Sequence, residues 1–132
     1  MQGKYQLEGV EEHVIRILIA ESDPDLVVLY AEFLGRCHVN VTIVVDSNEC
    51  LSALKSNNFD VIILDEHLSG NILTRDLANE ILRVKPYQRI ALTTTNPLYR
   101  TSTGTDFVGL NQNDILLKPF MLSNLLEVIK RK

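Results

Sequence analysis

The sequence predicts an α/β protein built on a parallel five-stranded sheet with helices on both faces. Three observations lead there. Short apolar runs alternate about five times with stretches of helical spacing. The run Phe59 to Leu64 carries five apolar residues in six, the mark of a strand buried on both faces. Strands separated by helices are joined by right-handed crossovers, which place a parallel sheet between two helical layers.

Taken in order, residues 1–13 read as a polar N-terminal tail and residues 14–132 as one folded domain. Ile15 to Ala20 forms the first strand, and Asp23-Pro24 supplies an N-cap and a first-turn proline to the first helix. Leu26, Leu29, Tyr30, Phe33 and Leu34 make its apolar face, and Gly35 ends it. Val39 to Val45 is the second strand, after which Asp46 and Glu49 read as a capping pair for a helix containing Leu51, Ala53 and Leu54.

The third strand is Phe59 to Leu64, with Asp65 as the first charge beyond it. Ile72 to Val84 follows as a helix with Ile72, Leu73, Leu77, Ile81 and Leu82 facing inward, stopped by Pro86. Arg89 to Thr93 is the fourth strand, Ile115 to Leu117 a short fifth, and Met121 to Lys130 the last helix, with Leu122, Leu125, Leu126 and Ile129 on one side. Between the last two strands, Thr94 to Asn113 is rich in Gly, Ser, Thr and Asn, which predicts a short or irregular fourth helix.

At 132 residues the chain fits one domain, large enough to bury roughly two-thirds of its unfolded surface. Thirteen Lys and Arg against seventeen Asp and Glu give a net charge of −4, so no global field attracts nucleic acid or an anionic membrane. The Lys130-Arg131-Lys132 run is explained by the dipole of a helix C-terminus. Cys37 and Cys50 lack zinc-motif spacing and read as reduced thiols. Without a signal-peptide or membrane-spanning run, the expected location is the cytoplasm.

Several polar residues converge at strand ends. Glu21, Ser22 and Asp23 follow the first strand, Asp65 ends the third, Thr93 ends the fourth, and Lys118-Pro119 follows the fifth. In one parallel sheet these positions share the carboxyl edge, where open α/β sheets place their chemistry. An aspartate-nucleophile phosphatase needs a second aspartate two residues on, and His67 stands there instead. Thr101-Ser102-Thr103-Gly104-Thr105 comes after the fourth strand rather than the first, so turn chemistry explains it better than a phosphate loop. His13, His38 and His67 show no ligand spacing.

Four pieces, Ile17 to Pro24, Phe59 to Asp65, Ile90 to Thr93 and Leu116 to Phe120, stand in an order and spacing that resemble the receiver domains of two-component response regulators. The resemblance runs from Ile15 to about Lys130. It implies a flavodoxin-like, doubly wound sheet of strand order 2-1-3-4-5. It also implies that Asp65 is the phosphoacceptor, taking a phosphoryl group from a histidine kinase or phosphotransfer protein, with Lys118 and Thr93 contacting phosphoryl oxygens. The chain would be a phosphoacceptor with self-catalysed transfer and autodephosphorylation rather than an enzyme acting on a separate substrate.

For Mg²⁺ the resemblance implies Glu21, Asp65 and the backbone carbonyl of His67 as ligands. Ser22 stands at the position of the usual acidic ligand, which predicts a weakened site, because a neutral hydroxyl is a poor ligand for a hard cation. Asp23 is a further candidate, in competition with its N-cap role. Other departures are Ser69 for a common proline, Thr94 for a small residue, and Ile115 for an aromatic ring that swings between two rotamers. The Lys118-Pro119 peptide bond is expected to be cis.

Two functions follow. One is a phosphorylatable receiver that switches partner interactions; the other is a pseudo-receiver, an interaction module independent of phosphorylation. No output domain follows the last helix, so the chain is expected to act alone or as part of a longer protein. The downstream target and homodimer formation stay open.

Overall fold

The computed structural model describes residues 13–101 and 110–131. Five parallel strands, β1 (Ile15–Ala20), β2 (Val39–Val44), β3 (Val61–Asp65), β4 (Arg89–Thr94) and β5 (Ile115–Leu117), form one sheet in the order β2-β1-β3-β4-β5. The helices are α1 (Pro24–Leu34), α2 (Ser47–Ser56), α3 (Thr74–Val84), α4, described over Leu98–Thr101, and α5 (Leu122–Lys130). A 3₁₀ turn, Gln112–Asp114, leads into β5. The expected short fourth helix and the expected tail fall partly on residues 102–109 and 1–12, outside the described residues.

Alternation along the strands sorts the core into two layers. Leu18, Ile62, Leu64, Ile90 and Leu92 pack with Leu77, Ala78 and Ile81 of α3 and Cys50 of α2 on one face. Ile17, Ile19, Val61, Ile63 and Ala91 pack with Tyr30 and Leu34 of α1 and Leu125, Val128 and Ile129 of α5 on the other. Every residue of β3 is buried, as expected of a central parallel strand.

Local chemistry sets the helix starts. Asp23 caps α1 by accepting from the Asp25 amide at 2.9 Å, and Pro24 occupies its first turn. Asp46 caps α2 by accepting from the Glu49 amide at 2.8 Å, while Glu49 Oε1 accepts from the Val45 amide at 3.0 Å. Gly35 ends α1 in right-handed geometry (φ −63°) rather than the left-handed cap that glycine commonly provides.

Several expected boundaries move. Helix α3 starts at Thr74 rather than Ile72, and Leu73, expected to face inward, is its N-cap and 65% exposed. Periodicity gave no stop signal there; the Thr74 hydroxyl did, since it donates to the Asp65 carbonyl at 2.8 Å and is used in closing the preceding loop. Likewise Met121 caps α5 instead of joining it, its amide donating to Asn124 Oδ1. Phe59 and Asp60 precede β3 rather than starting it, Val45 lies just beyond β2, and Leu29 is half-exposed on α1.

Candidate functional site at the carboxyl edge of the sheet

Parallel register aligns the strand ends that carry the polar residues. Asp65 sits opposite Thr93, Ala20 opposite Leu64, and Thr94 opposite Leu117. Glu21 and Lys118 are therefore the first residues beyond two strands that flank the Asp65–Thr93 pair. This brings together four of the residues singled out in the sequence.

Lys118 is the hub. Its Nζ donates to Asp65 Oδ1 at 2.6 Å and to Glu21 Oε1 at 2.9 Å. The Thr93 hydroxyl donates to the same Asp65 oxygen at 3.0 Å, and the His67 amide donates to Asp65 Oδ2 at 3.0 Å. The other Glu21 oxygen accepts from the Asp23 amide at 3.1 Å. Burial opposes the charge on Lys118, but its bonds to Asp65 and Glu21 outweigh it, and its pKa is raised. The side chain of Asp65 remains 10% exposed and that of Lys118 17% exposed, so the acid is screened but reachable. The Lys118-Pro119 bond is cis.

The Ser22 hydroxyl is turned to other partners: it donates to the Val45 carbonyl and accepts from the Ser69 amide, both at 2.8 Å. The Asp23 carboxylate is engaged as the α1 cap. His67 is exposed, with its ring 3.6 Å from Glu66. Among the described residues no three His, Cys, Asp or Glu side chains are grouped to hold a metal ion. Two carboxylates, those of Glu21 and Asp65, do converge, and the Lys118 ammonium bridges them.

Three contributors went unread in the sequence. Glu66 accepts a short hydrogen bond from the Thr94 hydroxyl, which in turn accepts from the Asn96 amide at 2.9 Å. Gly70 adopts φ 121° against Ser47. Tyr30, expected only as an apolar contact, is buried, and its pKa is raised by burial and then by the charges of Glu21, Asp65 and Asp23. The available signal for Tyr30 was its place on α1: helical side chains lean toward the N-terminus, here toward Glu21.

The doubly wound sheet, with its polar residues gathered at the carboxyl edge, defines the class of flavodoxin-like α/β domains. The family model of the response regulator receiver domain matches residues 17–130, and the chain belongs to that family. The chemotaxis response regulator CheY4 of Vibrio cholerae superposes with a TM-score of 0.78 at 20% identity, over 90% of this chain and 98% of that one. The response regulator TrrA of Thermotoga maritima, in complex with Mg²⁺-BeF, gives a TM-score of 0.73 at 26% identity, over 89% of this chain and 97% of that one. No curated protein sequence matches.

Proposed function

We propose that the protein is a phosphorylatable receiver in which Asp65 takes a phosphoryl group from a phosphohistidine on a kinase or phosphotransfer protein, and later loses it to water. An Asp65 carboxylate oxygen attacks phosphorus; a P–O bond forms as the donor P–N bond breaks, and the imidazole leaves with the electron pair. In the later step water attacks phosphorus; a new P–O bond forms as the bond from phosphorus to the Asp65 oxygen breaks, and the carboxylate leaves with the electron pair as inorganic phosphate and a proton are released. The family's general pairing with histidine kinases and phosphotransfer proteins supports this donor.

The observation that carries the reading is the convergence of Lys118 Nζ and Thr93 Oγ1 on one oxygen of Asp65. A carboxylate approaching a phosphoryl group meets like charge, and an ammonium and a hydroxyl held beside it offset that charge. The charge compensation rests on Lys118, and Mg²⁺ binding is weak in this reading.

Acetyl phosphate with Mg²⁺ followed by intact-mass measurement tests the proposal. Wild type is expected to gain the mass of one phosphoryl group and Asp65→Asn none. A wild type that stays unmodified under saturating donor overturns the reading in favour of an interaction module independent of phosphorylation.

A further inference from the structure

The Tyr30 hydroxyl is the one buried side-chain polar atom without a hydrogen-bond partner among the described residues. Tyr30 is 2% exposed, so water does not readily supply what the protein withholds. A buried hydroxyl in that condition carries a standing cost that a donor-seeking group brought within reach would remove.

Position says which group that is. Helix α1 begins immediately after Glu21-Ser22-Asp23, and side chains on a helix lean back toward its N-terminus, so the ring of Tyr30 extends toward the acid edge. The ring stacks on Phe120, with centroids 6.3 Å apart and planes 13° apart. Phe120 lies two residues beyond Lys118, and Tyr30, Lys118 and Phe120 line one cleft of about 400 Å³. Of the carboxylates that hinder ionisation of the hydroxyl, Glu21 acts most strongly, ahead of Asp65 and Asp23.

Glu21 is the group whose partner is transferable. It is 2% exposed and accepts from one ammonium, Lys118 Nζ, at 2.9 Å, and from one amide, that of Asp23, at 3.1 Å. We infer that Tyr30 is a positioning residue of the phosphoacceptor site, whose hydroxyl donates to the Glu21 carboxylate when Lys118 gives that carboxylate up for a phosphoryl oxygen on Asp65. This rests on the phosphorylation reading for its trigger, but loss of the ammonium by any route produces the same exchange. The carboxylate is spared an uncompensated burial, and the phenol gains a charge-assisted hydrogen bond. The hydroxyl is thus unsatisfied in the resting state and satisfied in the phosphorylated one.

The test is a double-mutant cycle read by thermal unfolding. Tyr30→Phe in the wild type removes the orphan hydroxyl at constant ring shape, and the melting temperature is expected to hold or rise. In a Lys118→Met background, where Glu21 has lost its ammonium, the same substitution is expected to lower it. An equal effect in both backgrounds overturns the inference. Should Lys118→Met not fold, Lys118→Gln replaces it as the charge-free background.

A second measurement uses acetyl phosphate. Tyr30→Phe is expected to shorten the lifetime of the phosphorylated protein about fivefold, the order of one hydrogen bond, and an unchanged lifetime counts against the exchange. If the wild type takes up no phosphoryl group, the proposed function fails, while the thermal cycle still decides the role of Tyr30.

Discussion

The Ser69 amide donates to the Ser22 hydroxyl over 2.8 Å, joining the loop after β1 to the loop after β3. The same hydroxyl donates to the Val45 carbonyl over 2.8 Å, so one side chain ties three strand ends together. Ser22 stands where the family usually carries an acidic ligand, and here the position is given to loop structure. A carboxylate there can accept from Ser69 but has no proton for Val45.

That trade sets the first prediction. Ser22→Asp is expected to bind Mg²⁺ more tightly than wild type in calorimetric titration, while unfolding at lower urea concentration because the Val45 carbonyl loses its donor. Ser22→Ala, which loses both bonds, is expected to cost about 1–2 kcal/mol of stability. Equal Mg²⁺ affinity in wild type and Ser22→Asp would refute the claim that the serine weakens the metal site.

Thr94 is 1% exposed, and its hydroxyl is held between Glu66 and the Asn96 amide. Thr94→Ala is expected to open room beside Asp65 and speed phosphoryl uptake from acetyl phosphate, at a stability loss of about 1–3 kcal/mol from the broken buried bonds. Thr94→Val keeps the shape and loses the hydroxyl. It should match the stability loss without the gain in rate, and a faster Val variant would show that the hydrogen bond rather than bulk limits uptake.

Gly70 holds φ 121°, and a Cβ there would lie 2.1 Å from Ser47 Oγ and 2.9 Å from Ser47 N. Ser47 cannot yield easily, since it is fully buried and its Oγ accepts from the Ile72 amide at 3.3 Å. Gly70→Ala is therefore expected to lower the urea midpoint, with at least about 1–3 kcal/mol from backbone strain alone. A midpoint equal to that of wild type would mean that this loop is free to rearrange.

Alkaline pH is expected to weaken the fold. Burial pushes the Cys50 thiol up from 9.0 to about 12. Lys118 is raised above 10.5 by the partners that outweigh its burial, and Tyr30 is raised by burial and the neighbouring carboxylates. In each case the folded state keeps a proton that the unfolded chain releases, so the slope of stability with pH is negative. The contribution is whole below about pH 9 and is lost as pH rises towards 12. In Cys50→Ala the decline should begin later, nearer the ordinary tyrosine value of 10.0, as followed by urea unfolding at stepped pH.

What the linear sequence determined was the scaffold and the identity of the converging groups. The unbroken apolar run of β3, the caps at Asp23 and Asp46, and the alternation of strand and helix suffice for a parallel sheet, because hydrophobic periodicity and capping are local. Once the sheet is parallel, Glu21, Asp65, Thr93 and Lys118 must meet at its carboxyl edge. Only the tertiary structure decided how each polar side chain there is used. Ser22 turns to Val45 and Ser69, Thr94 pairs with Glu66, and the Tyr30 hydroxyl is left without a hydrogen-bond partner among the described residues. The physical reason is that a hydrogen bond depends on distance and direction between groups far apart along the chain. Residue type states what a side chain can donate or accept, and packing alone selects the partner.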